Sequence, residues 1–269
     1  MDKKIGFIGC GNMGSAMLAG IINSKLLEKE NIYCSAKTNE SKERLKKEFG
    51  INVGSNEEVA KECDILILAV KPHFFSEVIG QIKSIVKKDS IIISIAAGVE
   101  VKDIEQLFEI KELKVVRAMP NTPALVGEGM TALCPNAYLN DNEIKEVEAI
   151  FNSFGKSEIL EEKYFDAFIA ICGSSPAYGY MFIEAMGTAG IKAGLQSSKA
   201  YRLAAQSLLG TAKMVLETGE HPASLRDKVC SPGGTTIEAV VELENTGFRS
   251  SIIKAMEACE KKSKEISKK

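Results

Sequence analysis

Ile5-Gly6-Phe7-Ile8-Gly9-Cys10-Gly11-Asn12-Met13-Gly14-Ser15-Ala16-Met17 is the stretch from which the fold is read. An apolar run enters Gly-x-Gly-x-x-Gly and an apolar-periodic segment (Met17, Leu18, Ile21, Ile22) leaves it. The order is therefore strand, tight turn, helix start. Each glycine has its own expected task. Gly9 permits the sharp turn, Gly11 lacks the Cβ that would obstruct a pyrophosphate, and Gly14 lets helix and strand approach closely. The unpaired N–H groups of the first helical turn, with the helix dipole, favour a phosphate there. Glycine turns are common, so the motif alone is weak; here both flanks have the character a dinucleotide turn requires.

The chain of 269 residues is long enough for two domains of ordinary size. Apolar residues make up 45% and charged residues 26%, the balance of a soluble globular protein. A formal net charge of −2 provides no global basic field, so neither nucleic acid nor a membrane is expected as a partner. No apolar run approaches the length of a membrane span. The seven cysteines are scattered without a Cys-x-x-Cys pair, and nothing at the N-terminus resembles a signal peptide; both point to a cytoplasmic location. With only His73 and His221 present, a His-centred triad or multi-His metal site is not expected, and neither is a metal.

Asn31-Ile32-Tyr33-Cys34-Ser35 is predicted as the second strand. Where such a strand ends in Asp or Glu, the carboxylate accepts from a ribose 2′-hydroxyl. This one ends Ser35-Ala36-Lys37-Thr38. A cation flanked by hydroxyls suits a 2′-phosphate, which a carboxylate would repel, so the tip points to NADPH with NADH as the weaker alternative. The competing reading is a solvated loop lysine. Residues 64–70 form a third strand, apolar as a doubly buried parallel strand should be. Ligands of open α/β sheets lie beyond the carboxyl ends of strands, which places Ala69, Val70, Lys71 and Pro72 beside the cofactor. Residues 90–95 end in Ala96-Ala97-Gly98. Residues 114–118 end in Met119-Pro120-Asn121-Thr122-Pro123-Ala124, a loop fixed by its prolines. Two further strands at 130–133 and 157–160 flank a helix from about Asp141 to Phe151. This alternation implies an α/β fold, a Rossmann-type doubly wound parallel sheet.

Beyond Glu161 helical periods take over, so the expected division is a dinucleotide-binding domain at 1–161 and an all-helical domain at 162–269. Helices are predicted at 164–172, 175–192, 198–217, 223–229, 235–244 and 248–263, with Ser175 as an N-cap and Pro176 in the first helical position. The alanine-rich middle of 198–217 suggests burial on more than one side. Helices of this number make a small core alone, so burial against a second subunit is expected. Within this half, Ser231-Pro232-Gly233-Gly234-Thr235-Thr236-Ile237-Glu238 forces a turn with bare backbone N–H groups before a helix. That turn is either an anion seat suited to a small carboxylate or an ordinary N-capped turn, and spacing alone does not decide between them.

Over nearly its whole length the chain resembles the delta-1-pyrroline-5-carboxylate reductases. The resemblance rests on the N-terminal glycine stretch, Ala69-Val70-Lys71-Pro72, Ala96-Ala97-Gly98-Val99, Met119 to Ala124, Pro176-Ala177-Tyr178 and, most specifically, Ser231 to Ile237. It implies an NADP-binding Rossmann domain and a helical dimerisation domain that interlocks two subunits, often in larger rings of dimers. It implies cofactor contacts at Gly9, Cys10, Gly11, Asn12, Met13, Gly14, Ser35, Ala36, Lys37, Thr38, Asn56, Ala69, Val70, Lys71, Pro72, Ala97, Met119, Pro120 and Asn121. The imine ring would lie by Glu162, Ser231, Gly233, Gly234, Thr235 and Thr236, with the Thr236 hydroxyl as the catalytic group. Two departures from the family pattern are Ser175, where glycine is usual, and Cys230, where a hydroxyl residue is usual; Lys37 stands where arginine is frequent.

The implied reaction is NADPH-dependent reduction of L-1-pyrroline-5-carboxylate to L-proline, by hydride transfer to an already protonated cyclic imine. It needs no strong enzymatic acid, which suits a histidine-poor chain. Two alternatives stand beside it. A β-hydroxyacid dehydrogenase would need a helical lysine with a nearby asparagine, and Lys192 lacks one at residues 193–198. A non-enzymatic NADP-binding regulator would have no use for the Ser231–Thr236 turn.

Overall fold

The computed structural model describes residues 3–267. The N-terminal stretch forms β1 (Ile5–Ile8) and α1 (Asn12–Asn23), joined through Gly9 at φ +82°, a left-handed conformation that an L side chain resists. There follow β2 (Ile32–Ser35), α2 (Asn39–Phe49), β3 (Asn52–Gly54), α3 (Asn56–Glu62), β4 (Ile65–Leu68), α4 (Phe75–Ile82), β5 (Ile91–Ser94) and α5 (Val101–Phe108). β6 (Lys114–Met119), β7 (Gly129–Pro135), α6 (Asp141–Asn152), β8 (Gly155–Ile159) and α7 (Phe165–Phe168) complete this part. The strands make one sheet in the order β3-β2-β1-β4-β5-β6-β7-β8. Strand order reverses between β1 and β4, so the crevice at their carboxyl ends is the topological switch point where such sheets take ligands.

Alternate residues of the central strands feed two separate cores. Ile5, Phe7, Ile65, Ile67, Ile91 and Ile93 pack against Met17, Leu18 and Ile21 of α1 and Val147, Ile150 and Phe151 of α6. Ile8, Leu66, Leu68 and Ile92 pack against Val59 of α3, Ile79 and Ile82 of α4, and Ile104 and Phe108 of α5. Burial on both faces is why these strands are apolar throughout.

Three expectations for this part of the chain are corrected. β7 runs antiparallel to β6, with Arg117 opposite Cys134 and Met119 opposite Ala132. The link between them is a 3-10 turn at Thr122–Val126, too short for a parallel crossover, which takes about a dozen residues or more. Gly14 is not where helix and strand demand a missing side chain, because a Cβ there would meet Ala69 Cβ at an ordinary 3.4 Å. The demanding positions are Gly6, whose Cβ would lie 2.5 Å from Val59 Cγ1, and Gly20, whose Cβ would lie 2.3 Å from Phe154 Cβ. The span 164–172 is a 3-10 turn (Glu162–Tyr164), α7 and a π-helical turn (Ile169–Gly173), not one α-helix.

Two compact units result, one holding the chain up to Gly173 together with residues from Glu260 onward, the other holding Ser174–Cys259. α7 stays with the sheet because Phe165 and Phe168 are buried with Ala132. The second unit contains α8 (Ser175–Lys192), α9 (Ser197–Thr218), α10 (Pro222–Val229) and α11 (Thr235–Asn245), and α12 (Phe248–Ser267) begins in it. Ser174, not Ser175, is the N-cap residue of α8, and its side chain makes no capping bond. α9 packs along α8, where a Cβ on Gly187 would lie 2.3 Å from the Tyr201 ring. Its expected burial on several sides is absent within one chain: Ala200 and Ala204 are buried, while Leu203, Leu209 and Leu216 are exposed. Apolar surface on that scale marks an interaction face. Among the described residues no helix is long and apolar enough to cross a membrane.

Candidate active site

A cavity of about 490 Å³ opens at the carboxyl ends of β1, β2 and β4. It brings together Gly9, Cys10, Gly11, Ser35, Ala36, Lys37, Asn56, Ala69, Val70 and Lys71 from the predicted set. Its floor is a hydrogen-bonded chain. The Gly9 N–H donates to Ser35 Oγ at 3.2 Å, Ser35 Oγ donates to Asn56 Oδ1 at 2.6 Å, and Asn56 Nδ2 donates to Gln81 Oε1 at 2.6 Å. Ser35 and Asn56 thus hold the glycine turn as well as line the cavity. Gly11 precedes α1 with extended backbone and no side-chain cap, and an added Cβ would meet no atom within 4 Å. The residues therefore fit a dinucleotide: open space above Gly11, uncapped amides at the helix start, and a cation at the β2 tip.

The charge and thiols of this cavity follow from its packing. Lys37 Nζ lies 5.3 Å from the Phe74 ring centroid, which holds the ammonium at the cavity wall. Lys42, on the first turns of α2, lines the same cavity and supplies a second cation. The hydrogen bond with Cys34 draws the Cys10 thiol below the usual cysteine range despite its burial, and the same contact with burial pushes Cys34 up.

Other predicted residues sit elsewhere. Asn12, Met13 and Gly14 open α1 without lining the cavity, and Pro72 heads the 3-10 turn after Lys71. Thr38 is the N-cap of α2, its hydroxyl accepting from the Ser41 N–H at 3.2 Å. Ala97 follows β5, and Met119, Pro120 and Asn121 lie at and beyond the end of β6. The Asn121 side chain is a structural tie: Nδ2 donates to the Cys172 carbonyl at 2.8 Å and Oδ1 accepts the Met130 N–H at 2.8 Å.

In the helical unit, Ser231–Gly234 closes a turn in which the Gly234 N–H donates to the Ser231 carbonyl at 3.0 Å and Gly233 takes φ +64°. No side chain caps α11. The N-capped alternative is therefore not realised: the amides at the start of α11 have no side-chain cap and belong to the exposed hydroxyl residues Thr235 and Thr236. Glu162 lies in the first unit, where it pairs with Arg117.

Comparison with known proteins follows this geometry. The family described as "Pyrroline-5-carboxylate reductase dimerisation" matches residues 162–266, and "NADP oxidoreductase coenzyme F420-dependent" matches residues 4–98. Pyrroline-5-carboxylate reductase of Escherichia coli (strain K12) is 48% identical over 269 residues, covering all of both chains. The chain belongs to the pyrroline-5-carboxylate reductase family. Among solved structures, the pyrroline-5-carboxylate reductase of Coxiella burnetii is 34% identical with a TM-score of 0.93, covering 100% of both chains. The pyrroline carboxylate reductase of Plasmodium falciparum, solved with NADP bound, is 37% identical with a TM-score of 0.85, covering 99% of this chain and 98% of that one. The exposed Leu203, Leu209 and Leu216 of α9 fall within the region matched by the pyrroline-5-carboxylate reductase dimerisation family.

Three residues of this pyrroline-5-carboxylate reductase fold escaped the sequence reading. Lys42 could have been found as a second cation one turn into the helix after the β2 tip. Arg117 was visible as a charge inside the otherwise apolar Val115-Val116-Arg117-Ala118. Gln81 carried no local signal.

Proposed function

We propose that this chain reduces L-1-pyrroline-5-carboxylate to L-proline with NADPH, the last step of proline biosynthesis. The observation that carries the reading is the uncapped amide turn at Ser231–Thr235, in a chain whose other unit holds a dinucleotide cavity. NADPH, when bound, supplies the hydride. The protein's part is positioning. Gly9, Gly11 and the start of α1 take the pyrophosphate, and Lys37 and Lys42 take the 2′-phosphate. Ala97, Met119, Pro120 and the Asn121 backbone border the nicotinamide end. The N–H groups of Thr235 and Thr236 donate to the substrate carboxylate, with Ser231, Gly233 and Gly234 shaping the turn. The Thr236 hydroxyl accepts the hydrogen bond of the protonated ring nitrogen and keeps the C=N carbon oriented. No histidine is needed: His73 lies against Phe74, and His221 Nδ1 accepts the Ala223 N–H at the start of α10.

In this reading residues 1–161 carry the cofactor and 162–269 carry substrate recognition and dimerisation. The enzyme works in the cytoplasm, where the free thiols stay reduced, and its dimers assemble into rings. Thr236→Ala tests the mechanism. It is expected to lower kcat roughly tenfold or more with NADP+ affinity unchanged; wild-type turnover would remove Thr236 from the mechanism.

A further inference from the structure

A single proton decides how the floor of the dinucleotide cavity is wired. Ser35 Oγ accepts the Gly9 N–H at 3.2 Å, and its one hydroxyl proton can go to Asn56 Oδ1 at 2.6 Å or to the Phe7 carbonyl at 3.5 Å. The shorter contact takes it. With Oδ1 turned to Ser35, Asn56 presents Nδ2 to α4, where Gln81 Oε1 accepts at 2.6 Å. That leaves the other end of the Gln81 amide. Its Nε2 carries two N–H donors and bonds to none of the described residues, and the side chain lines the cavity.

Every bond in this chain points the same way: backbone N–H to hydroxyl, hydroxyl to amide oxygen, amide N–H to amide oxygen. Each donor polarises the next, and the run ends in bare N–H groups. Both amide oxygens are engaged within the protein, so the network offers a ligand donors. A phosphate, which only accepts and carries charge, suits such an end better than a hydroxyl, which also has a proton to place. Charge alone is a weak selector here. Lys37, Lys42 and Lys71 line the cavity, but so do Glu57 and Glu77, a surplus of one cation. Phe74, Glu77, Val78 and Gln81, three and four residues apart, turn one face to the cavity. Lys37 lies against Phe74 at one end of that face, and Gln81 stands about two turns further along.

Resting on the reading that the β2 tip receives the 2′-phosphate, we propose that Gln81 is a specificity-determining residue for the cofactor. It keeps the oxygens of the Asn56–Gln81 pair turned inward and gives its own N–H groups to the 2′-phosphate, which favours NADPH over NADH. A strut that merely held Asn56 in place would serve both cofactors equally.

The test measures NADP+ and NAD+ affinity by isothermal titration, with no imine present, in wild type, Gln81→Met and Gln81→Glu, and thermal unfolding of each. Gln81→Met keeps the length of the side chain and has no N–H. It is expected to weaken NADP+ binding about tenfold, as loss of a hydrogen bond to a charged group implies, with NAD+ within about twofold of wild type. Gln81→Glu keeps an acceptor for Asn56 Nδ2, so it preserves the internal bond even where Gln81→Met loses stability. It replaces the outward N–H groups by a carboxylate oxygen and is expected to weaken NADP+ at least as much as Gln81→Met does, with NAD+ within about threefold. Equal losses for the two cofactors would overturn the proposal. So would wild-type affinities in both variants, or a Gln81→Glu variant that restores what Gln81→Met loses. Lys37→Glu, titrated alongside, separates the two claims. If it changes the NADP+ to NAD+ ratio and the Gln81 variants do not, only this proposal fails; if none of the three changes it, the 2′-phosphate reading fails as well.

Discussion

Gly11→Ala separates cofactor binding from folding. Gly11 has φ −76° and ψ −162°, backbone that any residue adopts, and its added Cβ would meet nothing within 4 Å. As an N-cap, alanine is worse than glycine by about 0.5–1 kcal/mol. Against this, the smaller entropy of the unfolded chain returns about 0.4–1 kcal/mol. The two nearly cancel, so unfolding should shift by no more than about 2 °C. A pyrophosphate running over Gly11 would meet the new methyl group, and forcing a methyl into a packed contact costs about 1–3 kcal/mol. NADP+ binding should therefore weaken about 5- to 150-fold. Gly9→Ala supplies the contrast. Its φ of +82° costs a side chain about 1–2 kcal/mol. Its Cβ would also lie 2.6 Å from Val70 Cγ1 and 3.1 Å from the Ala69 carbonyl oxygen, adding about 1–3 kcal/mol. Thermal unfolding followed by circular dichroism, with NADP+ titration of the folded variants, reads both effects. Wild-type NADP+ affinity in Gly11→Ala would refute the placement of the pyrophosphate. A large loss of stability in that variant would refute the open space above Gly11.

Other outcomes follow from the same geometry. Lys37→Glu should raise KM for NADPH at least about tenfold more than KM for NADH, since it sets a carboxylate against the 2′-phosphate; equal effects on the two cofactors would contradict the tip assignment. Asp64 bears on acid stability: burial alone would raise its pKa, but the Lys87 ammonium at 2.8 Å and the Lys4 N–H at 2.9 Å hold it below the usual carboxylate range. A carboxylate depressed in the folded state stabilises above its unfolded pKa of about 3.9, and that stabilisation is lost as pH falls through the folded value. The stability gap between wild type and Asp64→Asn, measured by denaturant titration, should therefore be full at neutral pH and close below about pH 4; parallel curves would contradict it.

The central sheet was legible because β1, β4 and β5 are buried on both faces, and the chain records that as unbroken apolar runs. β3 was not legible: Asn52-Val53-Gly54 is a three-residue strand with Asn52 exposed, and it has no apolar signature. The reversal of β7 depends on the length and shape of the Thr122–Val126 turn, which periodicity does not encode. The return of the C-terminal residues to the first unit includes contacts between residues far apart in sequence, such as Ser263 Oγ donating to Asp166 Oδ1. At the site, glycine spacing and the β2 tip were readable because their chemistry is local. The Asn56–Gln81 bond and the Arg117–Glu162 pair join residues far apart in sequence, and only the folded chain brings them together.

The most direct measurement is a crystal structure of the enzyme grown with L-proline and NADP+. The account predicts proline density with its carboxylate accepting from the Thr235 and Thr236 N–H groups and its nitrogen within hydrogen-bond distance of the Thr236 hydroxyl. An empty Ser231–Thr236 turn, with proline held by a surface lysine, would contradict it.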